Sequence, residues 1–360
     1  LFIAEEFLNA KKLRTLQGAN QNSSSDGSES SDNDLLGRKE VVLTFWAKIP
    51  RALHKLSFKC VVVAAERSSA HGVLPKGMVK NRDFAMNRIE SKFGELKKEG
   101  RTALITFITA GDPDLDTTFE LVLEMEKKGA DVVELGVPFS DPLADGTTIQ
   151  RASQRALDNK IKLKDILNLV YKLRKKTEIP IVLMSYLNPI YKYGLEEFAT
   201  ACRRMGVDGV IIPDLVPEEA EKWLAAARLN RLSAIFLAAP TSSLKRIKKI
   251  AKKSTGFLYY VSLTGVTGAR DKLNSNIIEA LKAIKRITNK PVACGFGISN
   301  PQQAQKVSRY SDGVIVGSAI IDLIERSTNR KSILRNVGNF VASLHQKMVG
   351  DYYASRRTRR

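Results

Sequence analysis

Residues 131–146 read Asp131-Val132-Val133-Glu134-Leu135-Gly136-Val137-Pro138-Phe139-Ser140-Asp141-Pro142-Leu143-Ala144-Asp145-Gly146. The first seven form a short apolar run of strand character, and a Pro/Gly-rich loop follows. The same unit, strand then loop then helix, recurs along the chain. Strand-like runs fall at 103–109, 131–136, 180–186, 208–213, 232–238, 256–262, 291–295 and 313–317. Amphipathic stretches of helical spacing fall at 114–128, 163–176, 194–205, 217–229, 242–253, 275–287, 300–309 and 318–327. Pro217-Glu218-Glu219 would make a good first helical turn. Eight strand–helix units over about 250 residues predict the α/β class, as a parallel (β/α)8 TIM barrel. An open doubly wound sheet is the other arrangement; its G-x-G-x-x-G fingerprint is absent from the sequence.

Outward from the barrel, residues 84–99 predict an extra helix before the first strand, and 330–348 a tail helix. Residues 18–34 are rich in Ser, Asn, Asp and Gly, a composition that predicts disorder. Residues 41–65 contain no acidic residue and carry Lys48, Arg51, Lys55 and Lys59 among apolar and hydroxyl side chains, the character of an organelle transit peptide. A plain disordered extension is the alternative, and an acidic segment precedes the basic one. The expected organisation is a disordered leader with a plastid transit peptide over 1–82, a catalytic barrel over 83–348 and a basic tail over 349–360. The expected location is the plastid stroma, or otherwise the cytoplasm.

The composition, 43% hydrophobic and 27% charged, supplies a large core. The net charge of +20 raises nucleic acid, an anionic surface or an anionic substrate. The densest basic run, Lys245 to Lys253, has Leu244, Ile247 and Ile250 at helical spacing, so it reads as a solvated helix face over an apolar stripe. It lacks interleaved aromatics, and no nucleic-acid partner is expected. No apolar run approaches the roughly 20 residues of a membrane span. Cys60, Cys202 and Cys294 have no metal-like spacing, which argues against a disulfide framework or a structural zinc site. The histidines are His54, His71 and His345. A site within 83–328 therefore moves protons with carboxylates, Tyr, Lys or water, and a Ser-His-Asp triad or a His-ligated metal there is excluded.

In a barrel, function sits at the C-terminal ends of strands. Glu134 lies near such an end, in a run that otherwise reads as core. An ionised carboxylate there is costly unless paired or put to work. Asp145 closes the loop that follows. Two carboxylates joined by one loop, one of them desolvated, suggest acid–base chemistry. The alternatives are a buried ion pair for Glu134 and a turn or N-cap role for Asp145. Cys294-Gly295-Phe296-Gly297-Ile298-Ser299 and Val316-Gly317-Ser318-Ala319 follow the last two strands and open helices. Glycines there bring backbone N–H groups and helix dipoles to an anion, in the common phosphate position of barrels. Tight strand–helix turns alone would also use them. Residues 256–270 run a strand into a Gly/Thr loop with the makings of a lid.

The thirteen contiguous residues Glu134 to Gly146 resemble the signature of the tryptophan synthase alpha subunit family, an indole-3-glycerol-phosphate aldolase. That family usually has Pro after Asp-Gly; here Thr147 stands, followed by Thr148-Ile149-Gln150 as expected. Thr106-Phe107-Ile108-Thr109-Ala110-Gly111-Asp112-Pro113, Met184-Ser185-Tyr186-Leu187-Asn188-Pro189, Ile211-Ile212-Pro213-Asp214-Leu215 and the 256–270 loop extend the resemblance over about residues 84–328. It implies that Glu134 and Asp145 are catalytic. It implies that Phe107, Ile149, Tyr259, Thr267 and Phe296 contact the substrate, with Thr267 meeting Asp145 on closure. Phosphate would lie on Gly268, Gly297, Gly317 and Ser318. The implied reaction is retro-aldol cleavage of indole-3-glycerol phosphate to indole and glyceraldehyde 3-phosphate, without metal or organic cofactor. The implied partner is a tryptophan synthase beta subunit in an alpha2beta2 assembly. A stand-alone indole-3-glycerol-phosphate lyase, or a non-catalytic regulatory barrel binding a phosphate ester, would share much of this pattern.

Overall fold

The computed structural model describes residues 87–261, 275–295 and 297–357. The expected leader lies outside them, as do Thr267, Gly268 and Phe296. The strands are β1 (Ala103–Thr109), β2 (Val132–Gly136), β3 (Ile181–Met184), β4 (Gly209–Ile211), β5 (Ser233–Ile235), β6 (Leu237–Ala238), β7 (Leu258–Val261), β8 (Val292–Gly295) and β9 (Gly313–Val316). The helices are α1 (Arg88–Glu99), α2 (Leu115–Lys127), α3 (Thr147–Asp158), α4 (Leu163–Leu173), α5 (Leu187–Tyr193), α6 (Leu195–Met205), α7 (Glu221–Leu229), α8 (Leu244–Lys253), α9 (Ser275–Ile287), α10 (Pro301–Ser308), α11 (Ser318–Arg326) and α12 (Arg330–Arg357).

All paired strands are parallel, in the order β5-β4-β3-β2-β1-β9-β8-β7-β6. Only Phe236 separates β5 from β6 in sequence, so the two ends of the sheet meet there. Tyr259 N–H donates to the Phe236 carbonyl at 3.2 Å and carries the ladder across the gap. The result is the expected TIM barrel, with β5 and β6 as the two halves of one strand position.

Each strand is buried on both faces, which is why it reads as a continuous apolar run. The inward face contributes Ile105, Val132, Val182, Ile211, Ile235, Phe257, Ala293 and Ile315 to one cluster. The alternate residues, such as Leu104, Val133, Leu183, Val210 and Val314, pack outward under the helices. Full burial of each such Ile, Leu or Val is worth roughly 1.5–3 kcal/mol.

The N-terminal mouth of the barrel is closed and clamped. Ile89, Phe93 and Leu96 of α1 join the inner cluster, with the Phe93 and Phe257 rings 5.5 Å apart. Asn87 caps α1 by accepting from Ile89 N–H at 2.9 Å. Its amide donates to the carbonyls of Asp208 and Arg231 at 2.8 and 3.0 Å, which ties α1 to the rim. A carboxylate just before a strand accepts a backbone N–H of the neighbouring strand at three places. Asp131 takes Leu104 N–H at 2.9 Å, Asp208 takes Ile181 N–H at 2.8 Å and Asp312 takes Val292 N–H at 2.9 Å. Thr255 does the same with its hydroxyl, accepting from Ala234 N–H at 2.7 Å. These clamps lie at the end opposite the loop that carries Asp145.

Several elements differ from the reading of the sequence. Helices α3 and α5 were not anticipated. The buried stripe of α3 consists of Ala152, Ser153 and Ala156, too small and too polar to stand out in a hydropathy pattern. Pro217-Glu218-Glu219 forms a separate turn, and α7 starts only at Glu221; Glu218 is instead hydrogen-bonded to Arg246 on α8. In α8 the packed stripe is Ile247, Ile250 and Ala251, while Leu244 stays 49% exposed at the first turn. Helix α12 passes residue 348 and continues to Arg357. Met348 is buried, and no Gly or Pro between 351 and 357 interrupts the helix.

Candidate active site

The inward residues of the upper barrel layer come from register. Phe107 pairs with Glu134 between β1 and β2, and Glu134 with Val182 between β2 and β3. Leu237 pairs with Tyr259 and Tyr259 with Ala293 on the other side. In-register parallel neighbours point to the same face, so Phe107, Glu134 and Tyr259 converge on the barrel axis. Tyr260 faces outward into the outer layer, as alternation requires.

Glu134 is fully buried, and neither carboxylate oxygen has a hydrogen-bond partner among the described residues. Nothing offsets its desolvation, so burial alone pushes the carboxyl from 4.5 up to about 8. Among the described residues, the buried ion pair that would give this residue a structural role is not formed. Such a group is protonated near neutrality and within reach of ionisation, as a proton shuttle must be.

Asp145 is half-buried on the loop between β2 and α3. Its backbone N–H donates to Pro142 and its carbonyl accepts from the Gln150 side chain at 2.9 Å. Desolvation raises its carboxyl to about 6, and a hydrogen bond from the Tyr186 hydroxyl pulls the other way. The same Tyr186 oxygen accepts from Ala144 N–H at 2.9 Å, and the Tyr186 ring packs 5.3 Å from that of Phe139. Tyr186 therefore holds the loop at three points. The sequence placed it at the end of a strand but assigned it no role. The available signal was a hydroxylated aromatic at the C-terminal end of the strand next to β2.

Glycines make room for the two inward aromatics. A Cβ on Gly136 would lie 2.6 Å from Phe107 Cζ, and one on Gly317 would lie 3.3 Å from Phe107 Cβ. A Cβ on Gly295 would lie 2.7 Å from the Tyr259 hydroxyl. Phe107 is thus held between the ends of β2 and β9, and Tyr259 lies over the end of β8. Burial holds the Tyr259 phenol well above its ordinary range, and the negative charges of Glu134 and Asp145 add to that.

The expected anion positions sit on the same rim. Gly297 adopts φ 80°, the left-handed region open to glycine, two residues after the end of β8. Gly317 is the N-cap of α11, Ser318 is its first residue, and no side chain caps that end. Its first N–H groups are left for a ligand. Ile149 lies in the first turn of α3, partly buried against the outer core. The structure thus gathers Phe107, Glu134, Asp145, Tyr259 and the Gly317–Ser318 turn at one mouth. A concavity of about 610 Å³ at the other mouth, walled by Phe93, Lys97, Lys252 and Pro291, contains none of them. Among the described residues no group of three or more His, Cys, Asp or Glu is placed to hold a metal, and no helix is long and apolar enough to cross a membrane.

Fold and site together define a (β/α)8-barrel protein with a protonatable carboxyl, unpartnered among the described residues, at the end of its second strand and a helix N-terminus without a side-chain cap on the same rim. Residues 93–349 match the family model described as tryptophan synthase alpha chain. The chain belongs to that family. The tryptophan synthase alpha chain of Caldanaerobacter subterraneus subsp. tengcongensis is 51% identical over 261 residues, spanning 72% of this chain and 99% of the relative. Among solved structures, subunit alpha of tryptophan synthase from Legionella pneumophila aligns with TM-score 0.68 at 40% identity, over 74% of this chain and 100% of that one. The tryptophan synthase a2b2 complex of Pyrococcus furiosus aligns with TM-score 0.64 at 38% identity, over 68% and 98%.

Proposed function

We propose that this chain is a carbon–carbon lyase that cleaves indole-3-glycerol phosphate to indole and glyceraldehyde 3-phosphate and passes indole to a beta subunit. The observation that carries the reading is the fully buried, unpartnered carboxyl of Glu134 at the C-terminal end of β2. Cleavage breaks the bond between indole C3 and the side-chain carbon bearing the adjacent hydroxyl. Indole carbon leaves poorly until C3 is protonated. Glu134, protonated near neutrality, supplies that proton. The electron pair of the breaking bond then neutralises the indolenine cation, and the hydroxyl loses its proton as the aldehyde forms. Glu134, now a carboxylate, accepts it. Asp145, ionised above about pH 6, accepts a hydrogen bond from the indole N–H and stabilises positive charge on the ring.

Phe107, Ile149 and Phe296 wall the indole, and Tyr259 contacts the substrate. Gly268, Gly297, Gly317 and Ser318 hold the phosphate, and Thr267 of the 256–270 segment meets Asp145 on closure. The open N-terminus of α11 supports the phosphate assignment. Three of the six large apolar side chains exposed among the described residues lie on the segments after β2 and β3: Leu143 is 58% exposed, Tyr191 70% and Tyr193 37%. That pattern supports a partner surface, and the Pyrococcus furiosus relative is described as an a2b2 complex.

The catalytic unit is taken as residues 83–348, with a leader before it and a short basic end after it. Plastid import rests on the acid-free basic composition of residues 41–65. Incubating the full chain with isolated chloroplasts tests it: shortening of the chain near residues 60–83 is expected, and an unprocessed chain left outside argues against import.

The deciding experiment is indole release from indole-3-glycerol phosphate, with and without a beta subunit. Slow release that rises sharply with the partner is expected. Fast release indifferent to the partner would mean a stand-alone lyase, and no release under either condition would mean a regulatory barrel.

A further inference from the structure

We infer that Glu325, with Arg151 and Arg155, forms a brace between α3 and α11 that sets the spacing of the two anchors gripping opposite ends of the substrate. The inference deepens the proposed activity, and it assigns positioning residues that touch no reacting atom.

Helix α3 begins directly after Asp145 and Gly146, and its Gln150 reaches back to the Asp145 carbonyl at 2.9 Å. Helix α11 begins directly after Gly317, at Ser318. The N-terminal ends of the two helices therefore adjoin the proposed indole N–H anchor and the proposed phosphate anchor. Side chains further along lock these helices together. Arg151 Nε and Nη2 donate to Glu325 Oε1 and Oε2 at 2.9 and 2.8 Å, a two-bond fork. Arg155 Nη1 donates to Glu325 Oε1 at 2.8 Å. Its Nε and Nη2 grip both oxygens of Asp112 at 2.8 Å. Thr148 Oγ1 donates to Asp322 Oδ1 at 3.3 Å. Asp112 is buried on the turn after β1, the strand that carries Phe107.

Forked guanidinium–carboxylate bonds define distance and orientation together, which a single point contact does not. The two arginines hold the Glu325 carboxyl down at about 2, so it stays ionised at any pH where the protein works. The other carboxyls facing the two guanidinia are Asp112 and Asp322. Partly exposed ion pairs contribute little to stability on their own. A contribution to geometry is different. A ligand held at both ends binds far better than its halves only when the anchors are spaced for it. Loosening the brace should weaken the intact substrate and spare the pieces.

The test uses the full chain with Glu325→Ala and Glu325→Gln, each checked by thermal melting. Three binding measurements are made: indole alone, glyceraldehyde 3-phosphate alone, and a non-cleavable analogue of the substrate lacking the side-chain hydroxyls. Steady-state cleavage is measured beside them. Glu325→Ala should lower kcat/KM by roughly 10- to 100-fold, mostly through KM, and weaken the analogue in parallel. Glu325→Gln, which still accepts from the guanidinia, should fall between Ala and the native chain. Each separate piece should bind within about twofold of the native chain. Equal weakening of pieces and analogue, or no weakening of the analogue, overturns the brace. A native chain that releases no indole defeats the activity instead, because the analogue comparison does not depend on turnover.

Discussion

Replacing Glu134 by Gln should stabilise the protein in alkali while abolishing its chemistry. The carboxyl is fully buried and unpaired, and burial raises it from 4.5 to about 8. A group whose folded pKa lies above its unfolded value adds stability that is fully present below pH 4.5. That stability is lost as pH climbs through about 8, because the unfolded chain then ionises more easily than the folded one. At 1.36 kcal/mol per pH unit the whole window is worth roughly 5 kcal/mol. Between about pH 5.5 and about pH 8.5 the native chain should lose about 3 kcal/mol from this side chain. Gln keeps the shape and cannot ionise. Urea unfolding of the full chain, followed by circular dichroism across that range, should show the Gln variant gaining about 3 kcal/mol on the native chain. Turnover should fall by at least ~10²–10⁴ in the same variant. A stability difference that does not change with pH would refute the reasoning, since it would mean that Glu134 is ionised and satisfied in the fold.

Tyr186→Phe removes the hydrogen bond that lowers the Asp145 carboxyl, so the acidic limb of the kcat/KM profile should move to higher pH; an unmoved limb argues against Asp145 as the ionised group. Gly136→Ala and Gly295→Ala place a methyl 2.6 Å from Phe107 Cζ and 2.7 Å from the Tyr259 hydroxyl. Each should cost about 1–3 kcal/mol of stability by thermal melting and raise KM, whereas Gly94→Ala, where an added Cβ meets nothing within 4 Å, should leave KM unchanged. Thr147→Pro restores the usual family residue at the first position of α3, after Gly146 at φ −70° and ψ 162°, a backbone that accepts a following proline. It should leave the reaction class unchanged and add about 0.4–1 kcal/mol by chemical denaturation. Asp208→Ala strips a carboxylate that holds Arg174 at 2.6 Å, Arg88 at 3.0 Å and Ile181 N–H at 2.8 Å. It should cost about 3–5 kcal/mol of stability, with kcat/KM of the folded fraction unchanged.

The barrel was legible because parallel strands buried on both faces must be apolar throughout, and Leu104 to Ile108 or Val314 to Val316 leave little room for another reading. Glu134 stood out for the same reason, as a carboxylate inside such a run. Helix α3 did not stand out, because its buried stripe is Ala152, Ser153 and Ala156, which need little burial energy when α11 covers them through ion pairs. The Glu218 turn was misread because Pro and two acids suit a free turn as well as a helix start.

What the sequence determined by itself was the strand periodicity, the chemistry of the strand ends and the absence of histidine between residues 83 and 328. Local composition decides these, one element at a time. Only the tertiary structure decided that Glu134 meets no cationic partner among the described residues, that Tyr186 holds the Asp145 loop, and that Glu325 joins α3 to α11. Each depends on which distant side chains the closed sheet brings together. Desolvation in particular belongs to the assembled barrel, since a carboxyl has its shifted pKa only once every neighbouring strand is in place.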